Sequence, residues 1–315
     1  MSVFILRRLI MSFITLFIVT IIAFLLLQIV PGGDPARAML GLDATPEEVA
    51  SLRSELWLDR PLMVQYFHWI GNAAQGQFGK SLIYREDVSE LIAQRLPVTL
   101  QLSATALILA SMLGISAGVI CAVTRGSALD QIISVLANAG IAVPIFWLGI
   151  LGIYVFGLML GWLPIQGYTS PFEDFWMGTQ QLVMPVICMS LVTLAITTRQ
   201  TRSAMLEVIR QDYIRTAFSK GLKYRVIIIR HALKNALIPI ITVLGMALPT
   251  LVAGSVLIET VFNIPGMGRL LVRAVFDKDF LIVQAGILII ATLIAIANLL
   301  VDISYGWFDP RIRFQ

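Results

Sequence analysis

Charged positions divide this chain into long uncharged blocks. Six windows contain no Asp, Glu, Lys or Arg: residues 9–33, 96–124, 131–172, 175–198, 235–258 and 280–301. Each supplies the roughly 20 apolar residues that a helix needs to cross a hydrocarbon core. The third window is long, but Gly161-Trp162-Leu163-Pro164 breaks it. The residues after Pro164 are too polar and too rich in Gly, Pro and Ser for another span. The period-two alternation of a membrane barrel is not found. The pattern predicts an all-α membrane protein with six transmembrane helices. The long stretch between the first two windows is patterned as well. Thr45 followed by Pro46, Glu47 and Glu48 predicts a capped helix start, with Val49, Leu52 and Leu56 along one face. Pro61 opens a second helix that directs Leu62, Tyr66, Trp69 and Ile70 toward membrane or core. Val88, Leu91, Ile92 and Leu96 predict an amphipathic piece that lies at the interface and turns at Pro97 into the second span.

Composition agrees with the pattern. The 315 residues are 58% hydrophobic and 13% charged, against about 25% charged for a soluble domain. An even number of spans places both termini on one side. Arg7 and Arg8 precede the first span, Arg125 lies between the second and third, nine Lys or Arg fall within 199–235, and Arg311 and Arg313 follow the last. An excess of basic residues marks the cytoplasmic side. The opposite loop, 158–181, has no Lys or Arg and carries Glu173 and Asp174. The net charge of +4 is therefore an orientation signal. A nucleic-acid partner is poorly supported, because no basic stripe sits on a soluble domain. Arg7-Arg8 reads as orientation rather than export, since the apolar run after it is too long and no small-x-small site follows. Cys121 and Cys188 stand singly in apolar windows and make neither a disulfide framework nor a metal site.

The polar interruption at residues 212–239 organises the second half of the chain. Ile214, Ala217 and Phe218 share one helical face, and Arg215 and Ser219 another. Gly221 falls where a short helix stops, because glycine takes the left-handed conformation without a Cβ clash. A second helix can start near Tyr224 and run into apolar sequence. A solvated basic loop that only sets topology would show the same charge.

The spacing of Ala217, Gly221, His231-Ala232-Leu233 and Asn235-Ala236-Leu237-Ile238-Pro239 resembles the permease signature loop of ATP-binding-cassette importers. The general signature opens Glu-Ala-Ala, whereas Arg215-Thr216-Ala217 with a late Pro239 reads like the peptide/nickel branch. Further blocks that resemble this branch are residues 31–35, 58–66, 96–100, 259–268, and 298–302 followed by 309–313. The resemblance runs from Arg7 to Arg313, nearly the full chain. It implies the type I importer permease architecture in a bacterial inner membrane. It also implies a second, similar permease subunit, two cytoplasmic ATPase subunits and an external solute-binding protein. Ile214, Arg215, Thr216, Ala217, Phe218, Ser219, Lys220 and Gly221 would form the helix that transmits the ATPase stroke, with Ala217 and Phe218 in the apolar contact. Family substrates include di- and oligopeptides, nickel chelates, glutathione and some sugars. The chain itself would carry no catalytic residue and no cofactor.

The resulting scheme has a first span at 1–30 and an external subdomain of short amphipathic helices at 31–95. A five-helix transmembrane domain at 96–305 contains the coupling loop 199–235, and a cytoplasmic tail follows at 306–315. Pro144, Gly245, Pro249, Gly254 and Ser255 are candidates for a gate or path, through kinking at the first and small-residue space at the others. Glu259 could bind substrate or a partner, but reads first as a water-facing acid at the membrane boundary.

Residues 74–81, AQGQFGKS, nearly match a phosphate-cradling loop, but Ala74 stands where the leading glycine belongs. The same residues resemble a Gly-x-Ser turn of the peptide/nickel permeases. A secondary transporter or channel working without ATP would show charged midplane residues or inverted repeats, and neither is visible. A membrane enzyme is disfavoured because His68 and His231 are far apart and no HExxH or GxSxG occurs.

Overall fold

The computed structural model describes residues 2–28, 34–41 and 43–308. The tail at 309–313 and most of the 31–35 block lie outside the described residues. The described chain is helical, and its only strand-type pairing is one bridge between Lys80 and Asp87. Among the described residues, five helices are long and apolar enough to cross a membrane. A sixth crossing is made if the bent pair Ala128–Ala142 and Ile145–Met159 counts as one span.

The chain forms two compact units. Among the described residues, the first takes in 100–264 and 300–308, and the second those within 2–99 and 265–299. In chain order the helices are α1 (Ser2–Gln28), α2 (Pro35–Leu40), α3 (Pro46–Glu55), α4 (Leu62–Ala74), α5 (Val88–Val123), α6 (Ala128–Ala142) and α7 (Ile145–Gly152). A π-helical turn, Ile153–Met159, extends α7. Next come α8 (Phe175–Ile209), α9 (Asp212–Ser219) and α10 (Tyr224–Val226), and a second π-helical turn, Ile227–Leu233, leads into α11 (Lys234–Val261). α12 (Met267–Phe276) and α13 (Phe280–Phe308) complete the chain.

In the first unit α8 packs against α6 and α11. Glycine sets how closely α5 approaches α8: a Cβ on Gly114 would lie 2.8 Å from the Thr197 Cβ, and one on Gly118 would run into Thr201. The third span is sharper than a kink. Val143, forced out of the helical region by the proline that follows, is extended at φ −95° and ψ 130°. Pro144 is extended as well, and α6 and α7 meet at 101°. The far end stops where expected, at Met159, before Gly161 with φ +63°.

In the second unit the helix starts read from sequence are present. Thr45 and Glu48 form the reciprocal capping box, and Leu52 is buried between α2 and α3. The two bonds from Thr45, backbone N–H first and hydroxyl second, hold the Glu48 carboxyl below its usual range. Tyr66 and Trp69 on α4 pack on Phe24 of α1, and the Tyr66 hydroxyl shares a 2.8 Å hydrogen bond with Thr20. Leu62, expected on that face, is exposed.

The predicted interfacial piece at 88–96 is corrected. Val88, Leu91 and Ile92 are core residues packed with Met267, Leu270, Ala274 and Ile282, and α5 continues through Pro97 without a turn. A proline inside a helix removes one intrahelical bond, and tertiary packing holds the helix together across it. The 74–81 stretch is a tight turn, with Gly76 and Gly79 at positive φ and Ser81 donating to the Asp279 carboxylate at 2.5 Å.

Candidate functional site

α9 is a short helix with a buried underside and an exposed outer face. Its entry is abrupt. α8 ends at Ile209, Arg210 caps it, and Gln211 turns extended at φ −70° and ψ 149°. Eight residues later the chain turns again. The Leu222 N–H donates to the Ala217 carbonyl at 3.4 Å and the Gly221 N–H to the Phe218 carbonyl at 2.9 Å. Gly221 has φ +74°. These are the two bonds of a Schellman closure with glycine at its left-handed position. No atom lies within 4 Å of where a Gly221 Cβ would stand, so the constraint there is conformational and not steric.

The underside is fixed by packing. Ile214 is fully buried and Ala217 nearly so, in a cluster with Ala204 and Met205 of α8, Ile227, Ile228 and Ala232 of the π-turn, and Ala236 and Ile240 of α11. A polar tether adds to this. The Asn235 side-chain amide donates to the Tyr213 hydroxyl at 2.7 Å, joining α9 to the first turn of α11. The Phe218 and Tyr224 rings are 6.0 Å apart across the corner. π-helical turns such as Ile227–Leu233 recur at functional sites, where the extra residue re-aims side chains.

The face assignment from sequence is therefore split. Ala217 belongs to the core and cannot be part of an outward contact, whereas Phe218, at 43% exposure, can. Helical spacing places Ile214, Ala217 and Phe218 near one another. The burial boundary passes between Ala217 and Phe218, which are about 100° apart around the axis. Arg215, Thr216, Ser219, Lys220 and Gly221 are exposed. Thr216 and Ser219 donate back to the carbonyls of Asp212 and Arg215. The result is a rigid protrusion with a basic, partly aromatic surface.

The gate candidates are not gathered into one place. Pro144 sits at the α6–α7 break. Gly245 faces α13, where a Cβ would lie 2.6 Å from a Val301 methyl. Pro249 is internal to α11, and Gly254 has open space around it. Ser255 is buried and donates to Val252 and to the Glu259 carboxylate, the latter at 2.9 Å. Glu259 is itself fully buried, contrary to its reading as a water-facing acid. It lies in the last turn of α11, where the turn through Phe262 and Ile264 folds over it, and the Ile264 N–H donates to its carbonyl at 2.8 Å.

One polar feature was missed in the sequence. Arg202 of α8 makes a two-pronged ion pair with Asp130 of α6, both N···O distances 2.8 Å. The Gly126 N–H also donates to this carboxylate, at 3.0 Å. Both residues flank charge-free windows, which places them at comparable depth. Their pairing required knowing that α6 and α8 are neighbours.

A model of the family described as "Binding-protein-dependent transport system inner membrane component" matches residues 114–314. The N-terminal model of the same system matches residues 1–103. The chain is 41% identical over 314 residues to "Probable peptide ABC transporter permease protein y4tP" of Sinorhizobium fredii, covering 100% of each. It is also 41% identical over 333 residues to "Di/tripeptide transport system permease protein DppB" of Pseudomonas aeruginosa, covering 99% of each. Among solved structures it resembles a chain of the MetNI methionine ABC transporter in an inward-facing conformation. There the TM-score is 0.55 at 17% identity, over 70% of this chain and 96% of that one.

Proposed function

This chain belongs to the family of binding-protein-dependent transport system inner membrane components, and from that premise we propose that it forms one half of the pore of a peptide importer. It is a pore-forming permease of an ATP-driven importer and a transport component rather than an enzyme. The observation that carries the peptide assignment is likeness over the whole chain to permeases named for peptides.

The finer assembly rests on the same reading. A second, homologous permease completes the pore, two cytoplasmic ATPase subunits supply the stroke, and an external binding protein delivers substrate. Both termini lie in the cytoplasm, on the side of the basic stretch at 199–235. α9 docks into the ATPase, with Phe218 and the exposed basic residues as its contact surface. Its geometry supports this role, because a short helix closed at Gly221 and seated in a core moves as a solid part. Pro144, Gly245, Pro249, Gly254 and Ser255 remain the proposed gate set.

The test is reconstitution of the chain with the permease, ATPase and binding protein encoded beside it. Uptake of labelled di- or tripeptide into proteoliposomes should require ATP together with the binding protein. Uptake driven by a proton or sodium gradient without ATP would refute the assignment.

A further inference from the structure

One stretch of α8, from Thr201 to Met205, is held by three other helices of the first unit. A Cβ on Gly118 of α5 would run into Thr201. Arg202 grips Asp130 of α6 through both carboxylate oxygens, each N···O distance 2.8 Å. Ala204 and Met205 are buried in the cluster that seats Ile214 and Ala217 of α9. These holds fall within about 6 Å along the axis of α8, so a shift of the α9 seat moves Arg202 with it.

Asp130 is fixed as firmly at its own end. It stands in the first turn of α6, 4% exposed, and its N–H donates to the capping Ser127 hydroxyl. One carboxylate oxygen accepts from Arg202 Nε. The other accepts from a second guanidinium N–H and from the Gly126 N–H, the latter at 3.0 Å. One group therefore joins α8, the turn between α5 and α6, and the start of α6. It cannot swing after a separate movement of α8 without giving up the Gly126 bond.

Such a pair is a poor source of stability. Burying two charges costs about as much as their attraction returns, and apolar residues of similar volume often do as well. What the planar fork supplies is register, because two parallel bonds fix orientation as well as distance. Register matters here because α6 has few other holds. Among the described residues it packs chiefly on α8, and its far end meets the Pro144 elbow.

We propose that the Asp130–Arg202 fork carries the displacement of α9 from α8 into α6, and so to the elbow at Pro144. The link rests on the importer reading, in which α9 receives the ATPase stroke. Asp130 and Arg202 are positioning residues, acting through the helices that bear them. A rod clamped in a fixed orientation at its near end turns with its holder. A rod held only by apolar contact can slide or roll, and the movement dies out before the elbow.

The test is the assembled importer in proteoliposomes, with peptide uptake and ATP hydrolysis measured on the same vesicles. The main variant combines Asp130→Asn with Arg202→Gln. It strands no charge, keeps an oxygen for the Gly126 N–H and removes the fork. It should assemble with a thermal midpoint near that of the parent and retain ATP hydrolysis stimulated by the binding protein. Peptide moved per ATP should fall about tenfold, within the usual range of coupling between sites. Arg202→Lys keeps the charge but offers a point in place of a fork, so its uptake per ATP should lie between. It disturbs packing least and carries the comparison if the double variant fails to assemble. Parental uptake per ATP in the variants that assemble would overturn the link. So would hydrolysis that falls in step with uptake, which marks a clamp that is only structural. Both outcomes leave the importer reading standing. Uptake by the parent complex without ATP would remove that reading and the link with it.

Discussion

Helices α9 and α12 are written in much the same pattern. Each is short, eight and ten residues, and each buries one apolar side: Ile214 and Ala217 in α9, Met267, Leu270 and Ala274 in α12. Each shows arginine and an exposed phenylalanine on the other side. Both close by the same motif. In α12 the Asp279 N–H donates to the Ala274 carbonyl at 2.8 Å and the Lys278 N–H to Val275 at 3.3 Å. The left-handed position is Gly221 in one and Lys278, at φ +57°, in the other. What differs is the company of the outer face. Around α9 it stands free, while on α12 Arg269 and Arg273 border a small open hollow together with a distant residue, Arg95. An amphipathic period thus tells which side is buried. It leaves open what the other side meets.

Ile214→Asp should separate the two faces of α9 most severely. It places an unpaired carboxylate in a closed core, a loss of roughly 4 kcal/mol, and membrane levels of folded protein should collapse on immunoblots. Gly221→Val comes next. A Cβ at φ +74° costs about 1–2 kcal/mol, so the chain should insert normally while peptide uptake falls roughly tenfold if α9 carries the stroke. Normal uptake with normal ATPase copurification would remove α9 from the mechanism. Phe218→Asp leaves the core untouched, so it should weaken ATPase copurification with little change in thermal midpoint. A large loss of midpoint would mean that Phe218 is structural. In α12 the logic inverts: Lys278→Gly relieves a left-handed lysine and should stabilise the chain by about 0.5–1 kcal/mol. The smallest effect concerns α3, which closes the same way at Trp57 but starts on a side-chain cap. Because the Glu48 carboxyl is held below the ordinary glutamate range, the cap's stabilisation is full above that range and is lost as pH falls through the lower folded value. Amide protection at Glu48, taken relative to the intrinsic exchange rate at each pH, should therefore persist through the ordinary glutamate range and fall only in stronger acid.

Much of this was legible from residue pattern. The charge-free windows mark the spans, and Thr45-Pro46 and Gly221 mark a helix start and a helix end as found. The closures at Trp57, Asn263 and Lys278 were not legible, because only glycine advertises a left-handed residue. At Trp57 the conformation is held by tertiary contacts instead, the indole stacking on His68 at 3.9 Å. The burial of Glu259 was hidden for a related reason. An acid at the edge of an apolar window looks solvated until its Ser255 partner one turn back and the covering turn are known. The Asp130–Arg202 pair and the approach of Arg95 to the arginines of α12 both join residues far apart in sequence, which no local period reports.

The break at Val143 and Pro144 also constrains how this part of the protein sits among lipids. Fifteen residues of α6 rise only about 22 Å, and the run Ile145–Met159 no more than that, so neither rod reaches across a hydrocarbon layer about 30 Å deep. Two such rods meeting at 101° cannot both stand upright. At their junction the last carbonyls of α6 have lost their helical donors, and Pro144 has no N–H to offer. Acyl chains provide nothing in return. The elbow must therefore face protein or water, and lipid can touch only the flanks of the two arms.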